Sequence, residues 1–152
     1  MSEAGRRSAW DSPGFLLWHA TLRWQRAVAA ALRPLGLTHV QFVLLAGAWW
    51  LAHGDRRPNQ RELADHAGTD RMMTSQVVRT LESRGLLLRE LDEVDARVRR
   101  LAVTPEGERL AVLAIAAVEA TDEAYFASVS DREDLVALFR GLAGREGATL
   151  PN

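Results

Sequence analysis

The sequence contains no cysteine and no lysine, and both absences narrow what the chain can be. Without cysteine it has no disulfide bonds, no thiolate metal ligands and no thiol-based redox sensor. All 19 basic residues are arginine. This reflects either GC-rich codon usage or recognition of anions, because the planar guanidinium fits phosphate oxygens and guanine edges. The formal net charge of −1 gives no support for polyanion binding, so only the distribution of charge can indicate such a partner.

Long apolar runs are missing as well. The longest apolar stretches, VQFVLLAGAWWLA and LAVLAIAAV, fall short of the roughly 18 residues that a membrane span needs. The N-terminal segment MSEAGRRSAWDSPG has two arginines, but no apolar run with a small-residue cleavage site follows them, which argues against a signal peptide. These features predict a cytoplasmic protein without a membrane segment. A length of 152 residues predicts one domain with a substantial core.

Motifs of the common enzyme classes are also absent from the sequence, which has no P-loop, HExxH, GxSxG or GxGxxG. The four histidines fall on different predicted elements without the i, i+4 spacing of helical metal ligands; they are His19, His39, His53 and His66. The carboxylates of LDEVD stand beside arginines on a predicted loop and are assigned to the architecture of that loop. The sequence therefore predicts no enzyme, no metal site and no cofactor.

Helix-capping signals divide the chain into six predicted helices and one hairpin. Ser12 and Pro13 open the first helix, which ends by Pro34 and Gly36. Further helix starts are predicted at Thr38, Asn59, Asp70, Thr104 and Ser130. Between Gly85 and Thr104 the pattern changes, since LLLRE and RRLAVT have apolar residues near alternation and are joined by LDEVDA. The fold class is predicted to be mainly α with a small β hairpin.

Two of the predicted helices are apolar over more than one stripe. They are FLLWHATLRWQRAVAAAL near the start of the chain and LAVLAIAAVEATDEAYF after the hairpin. A helix of this kind needs partners on several sides, and a chain of this size offers few. We expect a two-fold dimer in which the terminal helices interlock. The alternative is that both helices are buried in the core of a single chain.

The segment TDRMMTSQVVRTLESRGLL, residues 69–87, combines an apolar stripe with a polar outer face. Thr74, Val77, Val78 and Leu81 form the inward stripe at i, i+3, i+4 and i+7. The side chains predicted to project outward and to contact DNA are Arg71, Met72, Ser75, Gln76 and Arg79. Arginine can bind guanine and glutamine can bind adenine through base edges in the major groove. The alternative is the ordinary polar face of an amphipathic helix.

Methionines stand next to each other at positions 72 and 73, at the start of this helix. We expect Met73 to pack under the helix start toward the core. Met72 is expected to face the groove of DNA or the rim of a pocket.

A short helix, a turn, this second helix and a hairpin follow the order of a winged helix-turn-helix. The hairpin tip is predicted to be a DNA-contacting wing with Asp95, Arg97, Arg99 and Arg100. Arginines at such a tip suit a minor groove or a row of phosphates, and Asp95 at this spacing can hold Arg97 in position. The alternative is a solvated cluster of charges.

These residues resemble the MarR (multiple antibiotic resistance regulator) family of bacterial transcription factors over roughly residues 37–107. The similar pattern is LTHVQFVLL…NQRELADHAGTD…TSQVVRTLESRGLLLRE…DEVDARVRRLAVTPEG. Its most specific parts are LESRGLLLR, the Asp95-x-Arg97 signature and the TPEG that ends the wing. The methionines at 72 and 73 depart from the family, where small or polar residues are common, so no base preference is predicted.

The resemblance implies a homodimer on double-stranded DNA with a pseudo-palindromic operator, and the element order α-α-β-α-α-β-β-α-α. Residues 1–152 would form a single domain, with dimerisation helices at 12–36 and 105–145 and a winged helix-turn-helix lobe at 38–104. Ser75 and Gln76 fall where the family reads bases in the major groove. Arg97 falls at the wing arginine, which reaches the minor groove.

Members of this family often respond to small aromatic or phenolic ligands held between the dimer helices and the DNA-binding lobe. The side chains expected to line such a pocket here are Phe15, Trp18, His19, Trp24, Trp49 and Trp50. The alternative is that these aromatic residues only fill the core.

Taken together, the sequence predicts a homodimeric transcriptional repressor. Phosphate contacts from Arg97, Arg99 and Arg57 would set the register on DNA. A ligand would change the separation of the two recognition helices, which must lie about 34 Å apart to enter successive major grooves. The alternative is a winged-helix protein-interaction module whose wing arginines face an acidic partner.

Overall fold

Six α-helices and one β-hairpin make up the described part of this computed structural model, residues 8–53 and 56–145. The helices are α1 (Pro13–Leu32), α2 (His39–Leu51), α3 (Gln60–Ala67), α4 (Arg71–Ser83), α5 (Pro105–Tyr125) and α6 (Arg132–Leu142). The strands are β1 (Leu87–Leu91) and β2 (Arg99–Val103), and short 3₁₀ turns stand at Ala9–Asp11 and Arg33–Leu35. The predicted fold class is confirmed. Residues 1–7 of the segment weighed as a signal peptide, and positions 54–55 of the predicted HGDRRP turn, lie outside the described residues.

Local hydrogen bonds start the helices where the sequence predicts them. Thr38 and Asn59 each form a full capping box with the residue three positions later. Ser12 caps α1 ahead of Pro13. The last helix differs by one residue, because Asp131 and not Ser130 caps it, accepting 3.0 Å from the backbone N–H of Asp134. Serine and aspartate are both good N-caps, so the sequence alone does not choose between neighbours.

The sheet has two strands in the described ranges, whereas the family resemblance implies three. Strands β1 and β2 are antiparallel and in register from Leu87 opposite Val103 to Leu91 opposite Arg99. The third strand was expected between α2 and α3, where Pro58 only accepts one backbone hydrogen bond, 2.8 Å from the N–H of Leu101. Because proline has no N–H, this position cannot return a bond, and the ladder stops at two strands.

One apolar core joins the helices and the hairpin. Each of α1 to α5 and both strands contribute to it, through buried residues that include Leu32, Leu44, Leu63, Leu81, Leu87, Leu101 and Ala114. Burying one leucine side chain contributes about 1.5–3 kcal/mol, so these contacts dominate the stability of the lobe. Helix α6 contributes no buried residue.

The outer faces of α1, α5 and α6 are apolar but exposed in the single chain. Their exposed large side chains are Leu16, Leu17, Trp18, Val112, Leu113, Val136, Leu138, Phe139 and Leu142. The alternative in which one chain buries its apolar helices completely is therefore wrong. Among the described residues, no single helix has the length and apolarity to cross a membrane. The pair formed by α1 with its 3₁₀ turn and α2 has them only together, and the two are bent by 74° relative to each other.

Thr104 joins the root of the hairpin to the start of α5. Its hydroxyl donates to the carbonyl of Gly85 at 2.6 Å and accepts from the N–H of Gly107 at 3.0 Å. Its own N–H donates to the carbonyl of Leu86 at 3.1 Å. The backbones approach so closely here that a Cβ on Gly107 would lie 2.0 Å from the Leu86 oxygen. The glycine of the TPEG motif is therefore required by this contact.

We expect Gly107→Ala to lower the free energy of unfolding by about 1–3 kcal/mol, because overpacking against a backbone carbonyl forces the hairpin root to shift. Gly14→Ala is the matched control, since a Cβ there has no heavy atom within 4 Å. Alanine is also the better helix former, so this control should be neutral or stabilising. Urea unfolding followed by circular dichroism, at one protein concentration, measures both. Equal effects of the two substitutions would contradict the close approach.

Candidate nucleic-acid interface

The first turn of α4 is held rigidly against the turn that precedes it. Gly68 ends α3 in the left-handed region with φ of 68°. Asp70 then caps α4 through a 2.8 Å bond from the N–H of Met73. The buried Thr74 hydroxyl lies 2.7 Å from the carbonyl of Asp70 and 2.7 Å from the hydroxyl of Thr69. These bonds fix the start of α4, the part of a recognition helix that meets base edges.

The two faces of α4 divide as the sequence predicts. Thr74, Val78 and Leu81 are buried, and Val77 is half-buried against the same core. The outward residues Arg71, Met72, Gln76 and Arg79 are exposed, and Ser75 is half-buried. The outer face thus offers the donors and acceptors that direct readout of bases uses. The DNA contacts of these individual residues remain predictions.

Met73 lies outside the core, so its expected position under the helix start is wrong. It is 44% exposed and Met72 is 76% exposed. The inward position of this turn is occupied by Thr74, and neighbouring helical residues point about 100° apart at 3.6 residues per turn. Both methionines therefore add to the apolar character of the outer surface.

At the tip of the hairpin, a carboxylate holds one arginine in an outward position. The Arg97 side chain is 91% exposed. Its Nε and Nη2 donate to the two oxygens of Asp95 at 3.1 and 3.3 Å, and its backbone N–H donates to Asp95 Oδ1 at 3.0 Å. These bonds, that of the Arg97 side chain first, lower the pKa of Asp95. An exposed ion pair adds little stability, so the effect of this one is to orient Arg97.

Arg100, predicted as a DNA contact of the wing, is bound by carboxylates in the single chain. Its Nε and Nη2 donate to Asp92 Oδ2 at 3.1 and 3.0 Å, and its Nη1 lies 3.7 Å from Glu62. The other oxygen of Asp92 accepts from the N–H of Val94 at 2.9 Å. The pKa of Asp92 is lowered first by that backbone N–H and then by Arg100. Arg100 is therefore a brace inside the wing, because these carboxylates occupy its guanidinium.

Further ion pairs tie the wing to the helices beside it. Arg57 pairs closely with Glu90 of β1, so its guanidinium is also engaged and not free as expected. Arg89 of β1 meets both carboxylate oxygens of Glu82 in α4 at 3.0 Å. Arg99 is exposed on β2. Sequence reasoning missed these braces, because opposite charges 7 to 33 positions apart reveal no pairing before the chain folds.

The six aromatic and histidine residues predicted to line one ligand pocket do not come together in the single chain, where five of them fall in three groups and Trp18 in none. Phe15 and His19 cluster with Trp10 at ring distances of 4.5–5.1 Å. The indole of Trp24 donates to Asp122 at 2.7 Å and lies 5.1 Å from the ring of His39. Trp49 and Trp50 form a third group with His53, and Trp18 is 62% exposed. A single pocket lined by all six is therefore wrong for one chain.

An apolar cleft of about 370 Å³ opens beside the third group. Its walls come from α2, the end of α3 and α5, and they are Phe42, Val43, Ala46, Gly47, Trp49, Trp50, His66, Ala67 and Ile115. A Cβ on Gly47 would lie 3.1 Å from the His66 ring, so the glycine admits the imidazole to this wall. Burial, with a smaller effect of Arg145, lowers the pKa of His66. Sequence reasoning had weighed His66 only as a metal ligand.

Comparison with known proteins agrees with this geometry. The model of the MarR family matches residues 37–98. The uncharacterized HTH-type transcriptional regulator YdcH of Bacillus subtilis is 42% identical over 136 residues, 89% of this chain and 92% of that protein. The HTH-type transcriptional repressor Rv2887 of Mycobacterium tuberculosis is 34% identical over 113 residues, 74% of this chain and 78% of that protein.

Solved structures of similar chains include both ligand-bound and DNA-bound states. CouR from Rhodococcus jostii RHA1 bound to p-coumaroyl-CoA has a TM-score of 0.80 at 30% identity, covering 96% of this chain and 99% of CouR. CouR bound to a 23-mer DNA duplex has a TM-score of 0.75 at 27% identity, covering 94% and 98%. Rv2887 in complex with salicylic acid has a TM-score of 0.63 at 30% identity, covering 88% and 95%. The chain belongs to the MarR family of winged-helix transcriptional regulators.

Proposed function

We propose that the chain is a homodimeric repressor that binds a pseudo-palindromic operator and releases it when a small aromatic ligand binds. One observation carries this proposal: the polar face of α4 is exposed and its first turn is fixed by hydrogen bonds, beside a wing in which Asp95 orients Arg97. Such a pair of elements fits a major groove and the adjacent minor groove. The DNA-bound CouR structure supports DNA as the partner.

Helix α4 supplies the discrimination between base sequences in this proposal. Arg71 and Arg79 suit guanine, Gln76 suits adenine, and Ser75 suits a base or a phosphate. Met72, 76% exposed, would meet a thymine methyl group or the sugar wall of the groove. Since Asp70 and Thr74 already fix the backbone at the helix start, little backbone conformational freedom is lost there when these side chains bind.

The wing supplies phosphate and minor-groove contacts. Arg97 and Arg99 are exposed and reach outward from the hairpin, whereas Arg57 and Arg100 are engaged by carboxylates. We assign the electrostatic contact with DNA to the first two. Arg57 and Arg100 keep the hairpin in the orientation that this contact needs.

The exposed apolar faces of α1, α5 and α6 supply the dimer interface. Many large apolar side chains left exposed on these helices are typical of an interaction site, and a two-fold contact between copies of one chain would bury them with a single self-complementary patch. Residues 12–36 and 105–145 would then be the dimerisation module and residues 38–104 the DNA-binding lobe. Two-fold symmetry also places two α4 helices on the two halves of a pseudo-palindrome.

The cleft beside Trp49 and Trp50 is the proposed ligand site. Its aromatic walls suit a flat ring, and the neutral imidazole of His66 suits a hydroxyl or carboxyl group. Salicylic acid in Rv2887 and p-coumaroyl-CoA in CouR support an aromatic effector. A larger cleft of about 950 Å³ behind the wing fits such a ring less well, because half of its lining residues are charged and Arg100 is paired there with Glu62 and Asp92.

Arg97→Ala should weaken binding to DNA from upstream of the chain's own gene by about tenfold to a hundredfold, as expected for one well-oriented arginine. It should also reduce the slope of log affinity against log salt by about one, because one phosphate or groove contact is lost. A gel shift at two or more salt concentrations measures both. Arg109→Ala removes the same charge from an arginine that pairs with Glu106 on its own helix, and it should bind as wild type does. No shift of wild type at low salt would contradict the proposal.

Leu138→Asp should convert the protein from a dimer, with twice the 16.8 kDa of the chain, into a monomer at micromolar concentration. A carboxylate in an apolar interface has no partner and must lose its hydration. Light scattering after size exclusion gives the mass. Val94→Asp is the control, because Val94 is 95% exposed at the wing tip, outside the apolar helix faces. A wild-type monomer, or a dimer in both variants, would contradict the assigned interface.

Trp50→Ala should weaken the release of operator by salicylate about tenfold or more, since it removes an aromatic wall of the cleft. Titration of the protein–DNA complex with salicylate, followed by fluorescence anisotropy of labelled DNA, measures this. Trp10→Ala is the matched control, because Trp10 lies in the N-terminal aromatic cluster. If wild type does not respond to millimolar salicylate, or if both variants respond equally, the assigned site is wrong.

A further inference from the structure

The side chain of Arg84 connects the end of α4 to the joint between α1 and α2. Arg84 is the C-cap of α4, and its Nη1 donates to the carbonyl of Gly36 at 2.8 Å. The same nitrogen lies 3.3 Å from Oε1 of Gln41. These partners are 48 and 43 positions away in sequence. The contact therefore crosses from the proposed recognition helix to a distant part of the chain.

The joint that Arg84 touches is a compact turn. After the 3₁₀ turn Arg33–Leu35, Gly36 takes a left-handed conformation with φ of 67°, and its N–H donates to the carbonyl of Arg33 at 3.0 Å. Thr38 then opens α2 by a capping box with Gln41, whose Oε1 accepts from the Thr38 N–H at 3.1 Å. Arg84 thus shares the Gln41 oxygen with the cap of α2. One guanidinium bonds to both sides of the turn that links α1 to the lobe.

The two ends of α4 are held by different parts of the molecule. Its start is tied to the turn after α3 through Asp70 and Thr74. Its C-cap residue, Arg84, is bonded to the turn that follows α1. Because α1 carries part of the exposed apolar surface, this contact connects the end of α4 to a helix of that surface.

We propose that Arg84 is a positioning residue that fixes the orientation of α4 relative to α1, and thereby the half-site spacing that the dimer accepts. The inference rests on the proposed dimeric DNA binding. Two recognition helices must match successive grooves about 34 Å apart. A dimer whose α4 helices are free to tilt tolerates a wrong spacing better than one whose helices are fixed.

The test compares operators that differ only in spacing. Wild-type protein first selects a pseudo-palindromic operator from a pool of random duplexes, and the duplex is then remade one base pair longer and one shorter at its centre. Affinities of wild type, Arg84→Ala, Arg84→Lys and Arg109→Ala for the three duplexes are measured at several salt concentrations. Thermal unfolding of each variant is followed in parallel.

We expect Arg84→Ala to reduce the preference for the selected spacing about fivefold to tenfold, within the range for loss of one ordinary hydrogen bond. Arg84→Lys, which keeps the charge and a donor for the Gly36 carbonyl, should recover part of this preference. Arg109→Ala should keep all of it. The salt dependence of Arg84→Ala should equal that of wild type, because Arg84 contacts protein carbonyl and amide oxygens and not phosphate.

Two results would overturn the inference while wild type still selects an operator. One is an unchanged spacing preference in Arg84→Ala, which would make the contact a local cap. The other is a salt slope lowered by about one, which would make Arg84 a phosphate contact. If Arg84→Ala does not fold, the same comparison is made with Arg84→Lys. Failure of wild type to select any operator would instead overturn the proposed DNA binding itself, and the spacing role with it.

Discussion

The hydroxyl of Thr104 links the three elements whose relative positions matter most in the lobe: the end of α4, the hairpin and the start of α5. It bonds to the turn after α4 and to the first turn of α5, at the point where the hairpin returns to the helices. The Cβ-free Gly107 lets these backbones meet. Without this approach the root of the hairpin would lie at another position relative to α4 and α5.

Charge in this protein orients side chains more than it stabilises the fold. The lobe is held by buried leucines and valines, whereas the pairs of Arg97 with Asp95, Arg89 with Glu82 and Arg100 with Asp92 are partly or largely exposed. Pairs of that kind contribute little to the free energy of unfolding. They do restrict where a guanidinium points. The chain has 19 basic residues, all arginine, and a formal net charge of −1. Because carboxylates engage Arg57 and Arg100, few arginines are left facing outward at the wing.

The molecule has two kinds of exposed surface, one polar and one apolar. The polar face of α4 and the wing offer hydrogen-bonding groups at fixed positions, which suits a regular polyanion. The faces of α1, α5 and α6 offer apolar area that the single chain leaves uncovered. In a two-fold dimer of the proposed kind, the apolar faces are buried between the two chains. The dimer then presents two copies of the polar surface formed by α4 and the wing. The hydrogen bond from Arg84 to the carbonyl of Gly36 joins the end of α4 to the turn after α1, and thereby connects the elements that carry the two surfaces.

The sequence by itself determined the features that arise from neighbours three or four residues apart. The helix caps at Thr38, Asn59 and Asp70, and the buried stripe of α4, follow from such short-range spacing, and the MarR resemblance follows from motifs of the same local kind. Tertiary structure alone decided which distant carboxylates reach Arg57 and Arg100. Arg97 pairs with Asp95 two positions away, whereas the partners of Arg57 and Arg100 include Glu90 and Glu62 of other elements. Met73 lies outside the core because Thr74 takes the inward position of that helical turn. Tertiary structure also separated the predicted aromatic set, because which side chains meet depends on how the helices pack against one another.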